Sequence, residues 1–450
     1  MRHEYDIPRV RWHRPPNKVL LLFVVVLVLL LALARHIWYL EYWRNYRVLT
    51  VLWTVTFIAI GIQWLLSWLE RPYTVTAEQQ EQLDRLNVTV AVPIYNEEPE
   101  IVDRTLYSIL SQPRLPNRVQ VVDDGSEVDY SEVRDWWAAH HSPLVEFTWV
   151  WQPNAGKKRA HARAFRGDND ADIFITVDSD TALEHNAIGE GLKPFTDRRV
   201  QSVAGIELAA NHAENLLVRL KSVNTLIWQF ITCSAQNVAG GNVLVNRGTF
   251  ALYRGDLIRD TLDAYVGETF LGHPVFLGDD SMLTTFALGR GRAVQQPTAA
   301  CFSMYPETFS HTMRQWVRWM RGSSVRNVWR IRYLSLRSWG WWFTVLPTWW
   351  FFAFAALLFA VIADWRQAHG FAISVLYIGA VWGWIIAVRM FAIRRSDQRW
   401  LDRLEAYFLV PFAMAWMTVV LRPIRLYGMA TVFKQGWVTR GTSVEIASAP

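Results

Sequence analysis

Cysteine is nearly missing: Cys233 and Cys301 are the only two in 450 residues, and no CxxC spacing occurs. That speaks against a disulfide scaffold or a cysteine zinc site, and it suits a reducing compartment. Charge is also sparse, at 19% of residues, and the net +6 is spread along the chain without a block of one sign. A nucleic-acid footprint would concentrate it; dispersed positive charge fits membrane flanks and phosphate contacts better. What the chain has in quantity is apolar mass, 52% of residues, and 25 Trp. Tryptophan suits a membrane interface and surfaces that stack on sugar rings.

Uncharged apolar runs cover residues 19–34, 48–69, 338–363 and 370–388. Each is close to the roughly 20 residues that cross a hydrocarbon core. A fifth run, 406–421, is shorter and carries Pro411. Arg2, Arg9, Arg11, Arg14 and Lys18 precede the first run and put the N-terminus in the cytosol. A cleaved signal peptide ending near Ala32-Leu33-Ala34 is the alternative, although the second run would still anchor the chain. Two spans return the chain to the cytosol, so 72–335 is expected there. Arg394, Arg395 and Arg399 mark the loop after the fourth run as cytosolic too. Residues 404–433, interrupted by Pro411 and Pro423, then read as interfacial or re-entrant. The expected division is 1–71 for the tail and two spans, 72–335 for the cytosolic domain with interfacial helices at 212–232 and 309–334, 336–435 for the C-terminal membrane region, and 436–450 for a final loop and tail.

Within the cytosolic stretch, short β-branched or aromatic runs at 87–94, 118–122, 145–151 and 172–177 alternate with helical patterns at 98–110, 131–139, 157–165 and 186–193. That alternation predicts a mostly parallel sheet covered on both faces, with ligands beyond the C-terminal strand ends. Polar clusters stand at those ends: Tyr95-Asn96-Glu97, Asp123-Asp124-Gly125 and Asp178-Ser179-Asp180. Crowded carboxylates repel one another unless a cation or a donor-rich ligand sits among them.

Asp178 and Asp180 straddle a strand end, so one faces a hard divalent cation while the other supports ligand or backbone; a lone DxD is more often a turn or cap. Asp124 is a candidate acceptor for a base N–H, with Tyr95 stacking and Glu97 near the ribose; an Asp-Gly turn before a Ser helix start is the plain alternative. Gly156-Lys157-Lys158 opens a helix suited to diphosphate, or presents a solvated basic face. Gly278-Asp279-Asp280 precedes a helix, where Asp280 is either a cap or a general base. Gln315, Arg318 and Trp319 share one face of a helix from about 309 to 330, where Trp319 can stack on an acceptor ring and Arg318 can meet a diphosphate. Trp316 reads as part of an amphipathic surface at the membrane boundary, and a break at 322–324 would reset the helix phase for Trp329. The loop Gly436-Trp437-Val438-Thr439-Arg440-Gly441 carries donors suited to phosphate.

In this order, Asp123-Asp124-Gly125, Gly156-Lys157-Lys158, Asp178-Ser179-Asp180, Gly278-Asp279-Asp280, Gln315 to Trp319 and Trp437-Val438-Thr439-Arg440 resemble the DDG, GKR, DSD, GDD, QxxRW and WGTR elements of processive family-two glycosyltransferases, hyaluronan synthases most of all. The resemblance covers about 88–441. It implies a GT-A fold of α/β type joined to an α-helical transmembrane domain with interfacial helices. It implies UDP-sugar donors, Mg2+ or Mn2+, and inverting transfer to a growing β-linked polysaccharide that is exported through the bilayer of a multi-pass plasma-membrane protein. Nucleotide-sugar contacts fall on Tyr95, Glu97, Asp123, Asp124, Lys157, Lys158, Asp178, Arg318, Trp437, Thr439 and Arg440. Metal binding falls on Asp180 and Asp178, catalysis on Asp280 with Asp279, and acceptor contacts on Gln315, Trp319, Tyr253 and Arg254. No nucleic-acid partner is implied, and a monomer is compatible. Ser281 stands where hyaluronan synthases carry Arg, and the stretch from Asn246 to Arg254 keeps only the Tyr-Arg end of their acceptor element. Val438 stands where the second Gly of WGTR would be, and Trp437-Val438-Thr439-Arg440-Gly441 also resembles the gating loop of cellulose synthases. Chitin-like or cellulose-like synthesis, and a non-processive enzyme acting on a lipid carrier, remain the alternatives.

Overall fold

The computed structural model describes residues 4–13 and 46–434, with Gln367 described by its backbone only. The expected first span at 19–34 and the loop bearing Trp437, Thr439 and Arg440 lie outside the described residues.

Eight strands form one sheet: β1 Val88–Ile94, β2 Arg118–Asp123, β3 Glu146–Trp151, β4 Ile173–Val177, β5 Thr181–Leu183, β6 Val200–Ala209, β7 Phe250–Arg254 and β8 Arg292–Ser303. Across the sheet they run β3-β2-β1-β4-β7-β6-β8-β5. The half β3-β2-β1-β4 is parallel, as the alternation of strand and helix requires. Beyond it the sheet is mixed: β7 runs antiparallel between β4 and β6, and β5 antiparallel on β8. The strands from β6 onward escape a reading by alternation. Every position of β6 is buried, which erases its two-residue period, and β8 carries Gln295-Gln296-Pro297 where its register shifts.

Successive residues of β1 serve opposite cores. Val90 and Val92 pack with Val121, Ile175, Val102, Leu106 and Ile109 on one face, and Ala91 packs with Val122, Ala160, Phe165 and Phe174 on the other. Each such large side chain contributes about 1.5–3 kcal/mol by leaving water. Helices Pro99–Leu110 and Lys157–Arg166 thus sandwich the parallel half and fix its C-terminal edge.

Three described helices are long and apolar enough to cross a membrane: Arg47–Ser67, Trp339–Ala363 and Ala368–Ala392. A fourth candidate is the pair Trp400–Phe408 and Val410–Ala430, bent by 44° at the point where Pro411 follows the break. The helix Phe309–Tyr333 runs without a break through Gly322, so its phase is not reset at 322–324. Trp316 is half-buried on this helix. Its Nε1 donates to the Leu421 carbonyl at 2.9 Å, inside the contact between this helix and the bent pair.

A buried hub joins the membrane helices to the sheet. Glu70, just past the helix Arg47–Ser67, accepts from Ser234 (2.6 Å), Asn237 (3.2 Å) and Gln295 (3.0 Å) and faces Arg389 at 3.4 Å. On the far side, Val10–Trp12 pairs with Ile393–Arg395, and the Tyr5 hydroxyl donates to Asp103 at 2.9 Å. Residues 4–13 therefore strap the sheet domain to the segment after the third candidate span.

Candidate active site

The site is assembled from the ends of β1, β2, β3 and β4. Gly125 adopts φ +80°, a region glycine enters at little cost, and a Cβ there would lie 2.6 Å from the Asn154 nitrogen. The turn after β2 and the loop after β3 therefore touch. Asp124 completes that contact: its carboxylate accepts from Gln152 Nε2 (2.6 Å) and from the backbone N–H of Ala155 (3.0 Å) and Gly156 (2.7 Å). Burial nevertheless raises its pKa above the ordinary carboxylate value. Asp123 accepts from Ser126 N at 2.9 Å and so closes the turn. Glu97 is buried beside these groups; its backbone N–H and C=O both engage the Tyr130 hydroxyl at 2.7 Å, and its carboxylate accepts from Ser179 at 3.2 Å. Tyr95 is half-buried at the end of β1.

Lys157 lies at the centre. Its Nζ donates to Asp178 Oδ1 at 2.5 Å and stands 3.7 Å from Asp279 Oδ2. Burial alone would favour the neutral amine, but Asp178, Asp279 and Asp280 hold it charged. Gly248 closes over this pair: a Cβ there would sit 3.1 Å from Lys157 Nζ, and its N–H donates to Asp280 Oδ2 at 3.4 Å. Asp180, two residues beyond Asp178, accepts a long hydrogen bond from Thr181 at 3.4 Å.

The dyad starts the helix Asp279–Arg290, after Gly278 in the left-handed region (φ +74°). Burial works against the charge on Asp279, yet Lys157 holds its pKa below the ordinary value. For Asp280, burial and the neighbouring Asp279 charge push the pKa up to about 6. The helix Phe309–Tyr333 faces the dyad closely, since a Cβ on Gly322 would meet the Gly278 nitrogen at 3.2 Å. On that helix Gln315 accepts from Lys221 at 2.6 Å, and Trp319 is 41% exposed, open enough to receive a ring. Arg318 stands between them, near enough for its charge to disfavour that of Lys221.

Three expected contacts fail. Lys158 turns away from the cleft and is buried against Glu268 (2.6 Å) and the Val275 carbonyl (2.8 Å), because Glu268 compensates an ammonium in the core. Glu268 also takes Arg326 and the Trp329 indole, which settles the position of Trp329. Arg254 lies at the opposite edge of the sheet, where its guanidinium binds the carbonyls of Phe195, Asp197 and Val200. Tyr253 is fully buried in the core with Leu283 and Phe174 and cannot reach an acceptor. Lys221, Gly248, Gln152 and Glu268 escaped the sequence reading. Lys221 alone left a signal, as one of two cations in the otherwise uncharged segment Leu216–Ile227.

A glycosyltransferase like family 2 model matches residues 85–322. Hyaluronan synthase of Streptococcus pyogenes serotype M1 is 30% identical over 356 residues, 78% of this chain and 83% of the relative. An N-acetylglucosaminyltransferase of Azorhizobium caulinodans is 29% identical over 79% of this chain and 88% of its own length. Among solved structures, the mannosyltransferase PcManGT from Pyrobaculum calidifontis, in complex with GDP-Man and Mn2+, aligns with a TM-score of 0.53 at 22% identity. It covers 83% of this chain and 99% of its own, and it shares the GT-A fold.

Proposed function

The chain belongs to glycosyltransferase family 2, and from that membership we propose that it is a processive inverting synthase making a β-linked polymer from UDP-glucuronate and UDP-N-acetylglucosamine, as hyaluronan synthases do. The observation that carries this reading is that Lys157 meets two chain-distant elements, Asp178 and the Asp279-Asp280 helix start, at a helix N-terminus that Asp124 holds through the N–H groups of Ala155 and Gly156.

In the mechanism, Trp319 stacks on the terminal acceptor sugar and presents its hydroxyl, the orientation that makes attack effectively intramolecular. Asp280 removes the hydroxyl proton as the oxygen bonds to the anomeric carbon. The bond from that carbon to the diphosphate breaks, and its electron pair leaves with the diphosphate. Lys157 and Arg318 supply positive charge where the leaving group gains negative charge. Asp124 holds the loop from Ala155 to Lys157 in place and, with Tyr95, Glu97 and Asp123, borders the nucleotide. Asp180, with Asp178 adjacent, fits a divalent cation. Among the described residues no three His, Cys, Asp or Glu side chains converge as a cage, and Mg2+ or Mn2+ that takes its other ligands from substrate phosphates needs only one or two carboxylates. When bound, the ion would neutralise the departing diphosphate. Trp437, Thr439 and Arg440 would close over the nucleotide. The sheet domain, within 72–335, belongs on the cytosolic face of the plasma membrane, with the spans conducting the product outward.

The test is to supply the purified protein with single and paired UDP-sugars and to digest the product with linkage-specific hydrolases. Polymer forming only when both donors are present supports the reading. Polymer from UDP-N-acetylglucosamine alone overturns it in favour of a chitin-like synthase, which the N-acetylglucosaminyltransferase relatives favour as the second reading.

A further inference from the structure

Among the described residues, Lys221 is a charged group in contact with Gln315 and Trp319 for which the mechanism has no use. It projects from the helix Leu216–Ile227, which belongs to none of the motifs, and meets the acceptor face of the helix Phe309–Tyr333. Its Nζ donates to Gln315 Oε1 at 2.6 Å. It lies 4.2 Å above the centre of the Tyr305 ring and 5.1 Å from the centre of the Trp319 ring. Glu207, Asp180 and Arg318 are the charged groups whose fields reach it. Among the described residues, none of the carboxylates comes within salt-bridge distance of its ammonium. Lys221 is half-buried, and an ammonium drawn partly out of water without a carboxylate beside it is costly to keep. Burial indeed depresses it to about 8, against the opposing pull of Glu207 and Asp180. Gln315 takes one of the ammonium's three donors and the two rings face its charge, which leaves donors over for a ligand at the Trp319 face.

We propose that Lys221 is a specificity-determining residue that binds the carboxylate of a hexuronic acid at the acceptor end of the growing chain while that sugar stacks on Trp319. The inference rests on the synthase reading and names the residue that tells an acidic terminal sugar from a neutral one. A six-membered ring lying on an indole presents its exocyclic carboxylate at the ring edge. The Lys221 ammonium, 5.1 Å from the centre of that indole on a flexible four-carbon stem, is within reach of a carboxylate at that edge. A neutral terminal N-acetylhexosamine offers no such partner and is held by Trp319 and Gln315.

The experiment uses full-length protein in lipid nanodiscs, carrying chains stalled by withholding one donor, so that they end either in the uronic acid or in the amino sugar. The missing donor is then added and the first-turnover rate is read for Lys221→Gln, Lys221→Arg and the parent. In Lys221→Gln the ratio of addition onto uronate-ended chains to addition onto amino-sugar-ended chains is expected to fall about tenfold or more, the scale of one charge-assisted hydrogen bond. Lys221→Arg, which keeps the charge, should restore most of that ratio. An equal fall on both chain ends would make Lys221 a positioning residue for Gln315 and overturn the proposal; so would Lys221→Arg behaving like Lys221→Gln. The parent separates the two levels of inference. If it builds no mixed polymer, the synthase reading fails; if it does and the variants do not discriminate, only the role of Lys221 fails.

Discussion

One peptide bond separates Asp279 from Asp280, yet their surroundings pull their proton affinities apart. Asp279 lies against Lys157 and stays ionised, and its charge is part of what makes Asp280 hold its proton more tightly. A carboxylate with a pKa near 6 is a stronger base than an ordinary Asp and is still mostly ionised at neutral pH. The expected pH profile follows from the sign: the base works only when ionised, so activity falls as pH drops through about 6. Asp280→Asn should cut UDP release by about 10²–10⁴-fold. The same variant should melt at a higher temperature. The folded-state pKa of Asp280 lies above its unfolded value, so ionising it above pH 6 costs stability that a neutral amide avoids. A scan showing Asp280→Asn active, or active but acid-sensitive like the parent, would remove Asp280 from the role of base. Legibility at this scale followed chemistry. Asp124, Asp178 and Asp180 stood out because acids crowded at the ends of neighbouring strands repel one another and have few structural uses, and Asp280 because it opens a helix directly after Gly278-Asp279. Lys158 looked equivalent to Lys157 beside it, since adjacent helical residues diverge by about 100° and only the position of Glu268, 110 residues away, decides which one faces the cleft.

Elements were read best where their period was clean. The four parallel strands and their helices fall within a residue or so of the expected bounds, because turn-bounded apolar runs and amphipathic helices encode themselves locally. The mixed half of the sheet did not, since β7 enters against its neighbours through pairings that only tertiary context selects. The helix Phe309–Tyr333 shows what close approach adds. Gly322 and Gly278 bring it against the start of the helix Asp279–Arg290 with no side chain between them. Gly322→Val should leave the protein folded at a cost of about 1–3 kcal/mol. It should also lower turnover roughly tenfold to a hundredfold, because a small displacement of the acceptor platform from the base is amplified in rate. Thermal melting and initial rates measured side by side check this. Turnover unchanged would mean the two helices tolerate separation.

Across the whole molecule, the Glu70–Arg389 pair ties the end of one candidate span to the end of another, and through Gln295 to the sheet. Removing either partner leaves a buried charge uncompensated, at about 3–5 kcal/mol. In a double-mutant cycle with Glu70→Ala and Arg389→Ala, the second substitution should cost far less than the first, leaving a coupling above about 1 kcal/mol. Additive losses would show that the pair does not couple membrane helices and sheet. Glu70 was invisible in the sequence as anything but a span-flanking charge; its role appears only once three distant segments converge on it.

Where Gly322 meets Gly278, backbone lies directly on backbone, so the spacing between the helix of Trp319 and the helix of Asp280 is set by two bare peptide units rather than by side-chain rotamers. On the proposed reading, the distance from the acceptor ring to the carboxylate that deprotonates it is therefore written into the main chain, and no change of rotamer at that joint can retune it.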